Sequence, residues 1–166
     1  IFNKKRDLLI VVGGGSLPPS MYDRPHEDEL QPNRDRMEEQ VIHYCVAHGI
    51  PIIATCRGMQ YINVMFGGKL WYHPKLPVTR TRGMDHQVWL VKEQRNIWVN
   101  NYHSDCIYEE GLAPCFEPLA IDRENHVVEA YGSDEMKILA LQWHPERRFE
   151  TANAYEETRK RSEERR

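Results

Sequence analysis

The chain has 166 residues, 40% of them hydrophobic, and a formal net charge of −3, which fits one compact domain with an apolar core that needs no disulfide staples. Its lysines and arginines are scattered among acids, so no basic stripe points to a nucleic-acid partner. No apolar run nears the roughly 20 residues of a bilayer-spanning helix, and no charged-then-apolar leader precedes the first strand.

From Asp7 the residues Leu8, Leu9, Ile10, Val11 and Val12 run continuously apolar into Gly13-Gly14-Gly15, the pattern of a strand buried on both faces of a parallel sheet. The stretch 16–32 is rich in Pro and acids and reads as a long surface loop. Asn33 then caps a helix expected over residues 34–48, with Met37, Val41, Tyr44 and Cys45 at helical spacing and Gly49 as its stop. Residues 51–55 form a second short apolar strand. Cys56 opens a second helix carrying Met59, Ile62, Asn63 and Phe66, which Gly67-Gly68 closes.

Beyond Leu70 the pattern changes to short strands at 88–91, 97–100, 116–121, 127–131 and 138–141, several of them suited to antiparallel pairing. The tail from Thr151 is dominated by Glu, Arg and Lys and reads as a solvated helix. Four cysteines, Cys45, Cys56, Cys106 and Cys115, show neither paired metal spacing nor the density of a small secreted scaffold, so a reducing, cytoplasmic setting is expected. His73 and His86 lie in no spacing typical of a metal site, so neither metal nor cofactor is expected.

The chemistry concentrates in two segments. In Ile52-Ile53-Ala54-Thr55-Cys56-Arg57-Gly58-Met59-Gln60 a strand turns abruptly into a helix with a cysteine at the corner. Such an elbow exposes its side chain above the sheet edge, and Gly58 leaves room for close helix–strand approach. A sulfur at a helix N-terminus meets unsatisfied N–H groups and the positive end of the dipole, both of which favour thiolate. Taken alone, Cys56 is more simply a buried packing residue.

Its context is Leu139-Ala140-Leu141-Gln142-Trp143-His144-Pro145-Glu146, a strand ending in a histidine with a carboxylate two residues on. Pro145 restrains the backbone so that Glu146 can orient the imidazole of His144 toward the cysteine. The glycine loop lacks the downstream Lys-Ser/Thr of a phosphate cradle and the full dinucleotide fingerprint.

These segments, together with Pro18 and Tyr22, Arg34-Asp35 and Glu38, Asn63, Gly67-Gly68, Asp85-His86-Gln87-Val88 and Val99-Asn100-Asn101-Tyr102-His103, resemble in order and spacing the class I glutamine amidotransferase-like family. The match is closest to its γ-glutamyl hydrolase branch, peptidase family C26. The resemblance implies a three-layer α/β sandwich of flavodoxin-like type, with a mostly parallel central sheet plus short antiparallel strands, in a single domain over residues 1–166. It also implies a further strand–helix portion upstream of Ile1.

By the same resemblance, a triad of Cys56, His144 and Glu146 cleaves a γ-glutamyl amide through a thioester. The oxyanion hole falls on the backbone of Arg57 and on Gly14 and Gly15, while Gln60, Asn101, Tyr102 and His103 line the pocket for the glutamyl head group. Ala54 stands where many members have glycine before the elbow, a change the turn should survive; departures at Ser16 and Ser104-Asp105 bear on substrate choice, and the short link between Val91 and Ile97 implies a reduced pocket rim. The implied partner is a small γ-glutamyl substrate or glutamine, with a homodimer allowed. A glutaminase module feeding ammonia to a synthase, and a non-catalytic binding or regulatory module, are the competing readings.

Overall fold

The computed structural model of the chain describes residues 7–22, 30–72 and 84–147. In chain order its elements are β1 (Leu9–Val11), α1 (Pro32–His48), β2 (Ile52–Thr55), α2 (Arg57–Met65), β3 (Trp71–Tyr72), β4 (His86–Leu90), β5 (Arg95–Val99), β6 (Asp105–Cys106), β7 (Glu117–Asp122), β8 (Val127–Ser133) and β9 (Ile138–Leu141). Seven strands form one sheet in the order β1-β2-β9-β8-β7-β4-β5, and β3 pairs with β6 separately. β1, β2 and β9 run parallel, with Val11 opposite Ala54 and Ala54 opposite Ala140. From β9 onward every neighbour is antiparallel.

The architecture is the expected α/β sandwich, and its antiparallel strands extend the parallel ones within the same sheet. Each expected strand from residue 88 onward is found. The tight turns before β5, β8 and β9 place Gln94, His126 and Lys137 at φ 51°, 56° and 56°, the left-handed corner that lets a short connection reverse the chain.

Val11, Ile52, Ala54, Ile138 and Ala140 share one core with Ile42 and Cys45 of α1 and with Met59 and Ile62 of α2, so both helices cover the same face of the parallel strands. The opposite face of β1 leaves Ile10 57% exposed. The expectation that this strand is buried on both faces is therefore corrected: its run of apolar residues fills both faces, but among the described residues only one is covered.

Two details of α1 also differ from the sequence reading. The helix starts at Pro32, whose fixed φ suits a first helical position, after Gln31 as N-cap with no side-chain cap. Asn33 lies inside the first turn, where its Oδ1 accepts a hydrogen bond from Arg36 at 2.8 Å. The inward face carries Asp35, Ile42 and Cys45, whereas Met37 is 58% exposed. Of the expected stripe, Val41 and Cys45 pack on the core and Met37 and Tyr44 are exposed, while a charged residue, Asp35, points inward to meet a buried arginine on α2. The stop at Gly49 stands, with φ 64° and its N–H donating to the Cys45 and Val46 carbonyls.

At the far end of α2, the Asn63 side chain donates to the Lys69 and Gly111 carbonyls and accepts from the Ala113 N–H. Asn63 thus ties down the chain beyond the helix. Among the described residues no helix is long and apolar enough to cross a membrane. The expected C-terminal helix and His73 lie outside the described residues.

Candidate active site

Parallel strands deliver their carboxyl ends to one edge of a sheet, where loops can build a site. Here β1 ends in Gly13-Gly14-Gly15, β2 ends at Cys56, and β9 ends just before His144.

Cys56 occupies φ 51°, ψ −112°, a conformation that costs an L-residue on the order of 1–3 kcal/mol and persists only where the surroundings enforce it. The enforcement is visible on both sides. The Cys56 N–H donates to Leu141 O at 2.8 Å, continuing the β2–β9 ladder, while its carbonyl accepts the Gln60 N–H at 3.1 Å and begins α2. The residue between ladder and helix must make the whole turn.

Gly58 makes that turn possible. A Cβ there would lie 2.4 Å from the Val11 carbonyl oxygen, so only glycine lets α2 approach β1 so closely.

His144 is held at three points. Its N–H donates to Asn100 Oδ1 at 2.9 Å and its carbonyl accepts Asn100 Nδ2 at 2.8 Å. Its Nδ1 lies 2.6 Å from Glu146 Oε1. A carboxylate at that distance accepts a hydrogen bond from Nδ1–H, so in the neutral imidazole it is Nε2 that carries the lone pair. Tyr102 packs edge-on against the imidazole with ring centroids 5.9 Å apart, and the Arg147 guanidinium lies 4.3 Å from the centre of the Tyr102 ring.

Gly13 shows that the cysteine and the histidine border one space. A Cβ built there would sit 3.1 Å from Cys56 Cβ, 3.3 Å from His144 Nε2 and 2.8 Å from His144 Cε1. The nucleophile candidate and the lone-pair nitrogen therefore border the same space at the foot of the glycine loop. Gly14 and Gly15 follow with φ 91° and 74°, backbone open to glycine at little cost.

Partial burial opposes the charged form of Glu146, but the hydrogen bond from His144, a hydrogen bond from its own backbone and the positive charge of Arg147 outweigh it and hold its carboxyl below the ordinary value of 4.5. A lowered folded-state value means that the orienting charge prevails at and above pH 4.5 and is lost as pH falls through the lowered one. We expect the Glu146 carboxyl carbon, followed by NMR, to titrate with a midpoint under 4.5. We further expect Glu146→Gln to lower turnover by about 10–100-fold, since the imidazole loses its orienting acceptor. A midpoint at or above the ordinary value would contradict this assignment of the bond.

The other expected pocket residues are placed less openly. Asn101 is fully buried, and Gln60 and His103 are nearly so. Gln60 Nε2 donates to Asp105 O at 3.0 Å and to Gln142 Oε1 at 3.2 Å, and His103 Nδ1 lies 2.9 Å from Asp105 O. His103 and His86 approach the buried Glu129 carboxylate at 3.7 Å and 3.5 Å. Tyr102 is the one of the four that is only half-buried, and it stands beside His144. Among the described residues no group of three or more His, Cys, Asp or Glu is arranged to hold a metal ion.

Three residues beside the site make contacts that the sequence pattern does not specify. Asn100 fixes the backbone of His144, and nothing in its local pattern signals that. Arg34 and Glu38 stand behind the glycine loop and the elbow, and their i,i+4 spacing within a charged helix face was the available sign.

The model of the peptidase C26 family matches residues 3–146. Among curated relatives, Protein NtpR of Enterococcus hirae is 32% identical over 84% of this chain and 66% of its own length. The gamma-glutamyl-gamma-aminobutyrate hydrolase PuuD of Escherichia coli is 28% identical over 86% of this chain and 65% of its own. The chain thus spans just under two thirds of both relatives. Among solved structures, a glutamine amidotransferase from Thermotoga maritima superposes with a TM-score of 0.60 at 20% identity, covering 94% of this chain and 64% of that one, a likeness of fold.

Proposed function

The chain belongs to the peptidase C26 family, and on that premise we propose that it hydrolyses a γ-glutamyl amide bond, with Cys56 as nucleophile, releasing glutamate and an amine. The observation that supports this reading is the single space above Gly13 bordered by both Cys56 and His144 Nε2.

Cys56 sulfur attacks the side-chain carbonyl carbon and passes its proton to His144 Nε2, forming a tetrahedral oxyanion. The backbone N–H of Arg57 and those of Gly14 and Gly15 would receive that charge, and each such donor contributes on the order of 3 kcal/mol to the transition state. As the carbon–nitrogen bond breaks, His144 returns the proton to the departing amine, leaving a γ-glutamyl thioester. Water then loses a proton to the same nitrogen and attacks the thioester carbon; collapse expels the thiolate and frees glutamate. Glu146 keeps the imidazole in the tautomer that both half-reactions need. Tyr102 flanks the imidazole where the glutamyl group would enter.

The test is a panel of γ-glutamyl compounds assayed beside glutamine with glutamate release as readout. The name of the Escherichia coli relative puts γ-glutamyl-γ-aminobutyrate first on that panel. We expect at least one γ-glutamyl amine to be cleaved by the purified protein alone, faster than glutamine. Glutamine turnover that exceeds every amide and rises on adding a synthase would replace this reading with an ammonia-supplying module.

A further inference from the structure

Behind the site lies a set of charges that the proposed reaction does not use. Arg34 Nη1 donates to the Gly14 carbonyl at 2.8 Å, and its Nη2 donates to the Val12 carbonyl at 2.6 Å and to that of Gly13 at 3.3 Å. One guanidinium therefore gathers three successive carbonyls of the glycine loop. Its Nη1 also reaches Gln31 Oε1 at 3.1 Å, and its Nε donates to Glu38 Oε1 at 2.7 Å.

The second oxygen of Glu38 accepts Arg57 Nη1 at 2.6 Å, and Arg57 Nη2 pairs with Asp35. Arg57 is the residue directly after the nucleophile, and its side chain is almost wholly buried. One carboxylate thus grips the loop through Arg34 and the elbow through Arg57. Two arginines and two acids balance in charge, which is what allows such a group to sit at low exposure.

The peptide geometry gives this contact a consequence. In a trans peptide the N–H points opposite the carbonyl, and the described chain has no cis bond. With the Val12, Gly13 and Gly14 carbonyls drawn to the guanidinium, the N–H groups of Gly13, Gly14 and Gly15 face away from it. Three consecutive glycines could otherwise turn their peptides at little cost, because no Cβ restricts them.

We propose that Arg34 and Glu38 are positioning residues: Arg34 selects the one orientation of the glycine loop in which its N–H groups can receive an oxyanion, and Glu38 fixes that loop relative to the Arg57 N–H on the elbow. This rests on the hydrolase reading above.

The experiment compares wild type with Arg34→Met, Arg34→Lys and Glu38→Gln through three readouts. The first is kcat and KM on the γ-glutamyl amide that the wild type cleaves. The second is the rate of Cys56 alkylation by iodoacetamide, which develops no oxyanion. The third is amide hydrogen exchange over residues 12–16.

Arg34→Met should lower kcat by about 30–100-fold, as a misplaced donor set does, while KM and alkylation stay within about threefold. Exchange over the loop should rise by about tenfold or more as the peptides are released. Arg34→Lys, which keeps the charge but offers a single point of contact, should recover part of kcat. Glu38→Gln should fall between the two.

Unchanged kcat, unchanged loop exchange, or alkylation that falls in step with turnover would each overturn the positioning role, the last by showing general collapse of the site. A wild type inactive on every γ-glutamyl compound and on glutamine would overturn the hydrolase reading. The exchange data would then still decide whether Arg34 orders the loop.

Discussion

Replacing Cys56 with serine should cut glutamate release by about 10⁴-fold or more while leaving the thermal unfolding of the protein nearly unchanged. Serine differs from cysteine by one atom and can occupy the same corner between the β2–β9 ladder and α2, so the fold has no reason to respond. The chemistry does. A hydroxyl is far less acidic than a thiol at a helix N-terminus, so His144 would have to remove a much more tightly held proton at the moment of attack. A Cys56→Ser protein with full turnover would remove the nucleophile from the mechanism, and with it the proposed function.

Gly13→Ala is expected to reduce kcat by about 10²–10³-fold with a much smaller effect on stability. The added methyl would lie 2.8 Å from His144 Cε1 and 3.1 Å from Cys56 Cβ, so something must move. His144 has little room to retreat, because Asn100 holds its backbone through two hydrogen bonds and Glu146 holds its ring. Cys56 is fixed by the ladder on one side and the helix on the other. The remaining outlet is to push imidazole and thiol apart, which is the displacement the reaction tolerates least.

Gly14→Ala provides the contrast. Among the described residues, apart from its chain neighbours, nothing lies within 4 Å of a Cβ there, but φ is 91°, so the cost appears as backbone strain of about 1–2 kcal/mol and the methyl is not driven between the reacting groups. Measuring kcat and unfolding temperature for both variants separates the two effects. If Gly13→Ala keeps wild-type kcat, the space above Gly13 is not where the chemistry occurs.

Much of the local structure follows from short-range rules. The glycines after β1, the left-handed stop at Gly49 and the abrupt Thr55-Cys56-Arg57-Gly58 corner each express a backbone preference set by a few neighbouring residues. Strands β4, β5, β7, β8 and β9 are legible for the same reason, since apolar runs separated by turn residues mark themselves, whereas the two-residue β6 carries no such run. The misreadings came where a distant partner decides. An apolar run at β1 cannot say how many of its faces are covered. Hydrophobicity places Val41 and Cys45 on the inward face of α1 but not Asp35, which turns toward an arginine that arrives only with α2.

By itself, the order of residues determined the chemical inventory: a thiol on a strained corner, a histidine two residues before a carboxylate, and a glycine loop able to take unusual backbone angles. Tertiary structure alone decided that β9, far along the chain, docks in parallel on β2 and brings His144 level with Cys56. It also decided that Asn100 bonds the backbone of His144 and that Arg34 and Glu38 stand behind the glycine loop and the elbow. Turns and caps are governed by contacts within a few residues. Strand partners and buried charge pairs are selected by burial and register across the whole molecule, and neighbouring letters carry little information about those.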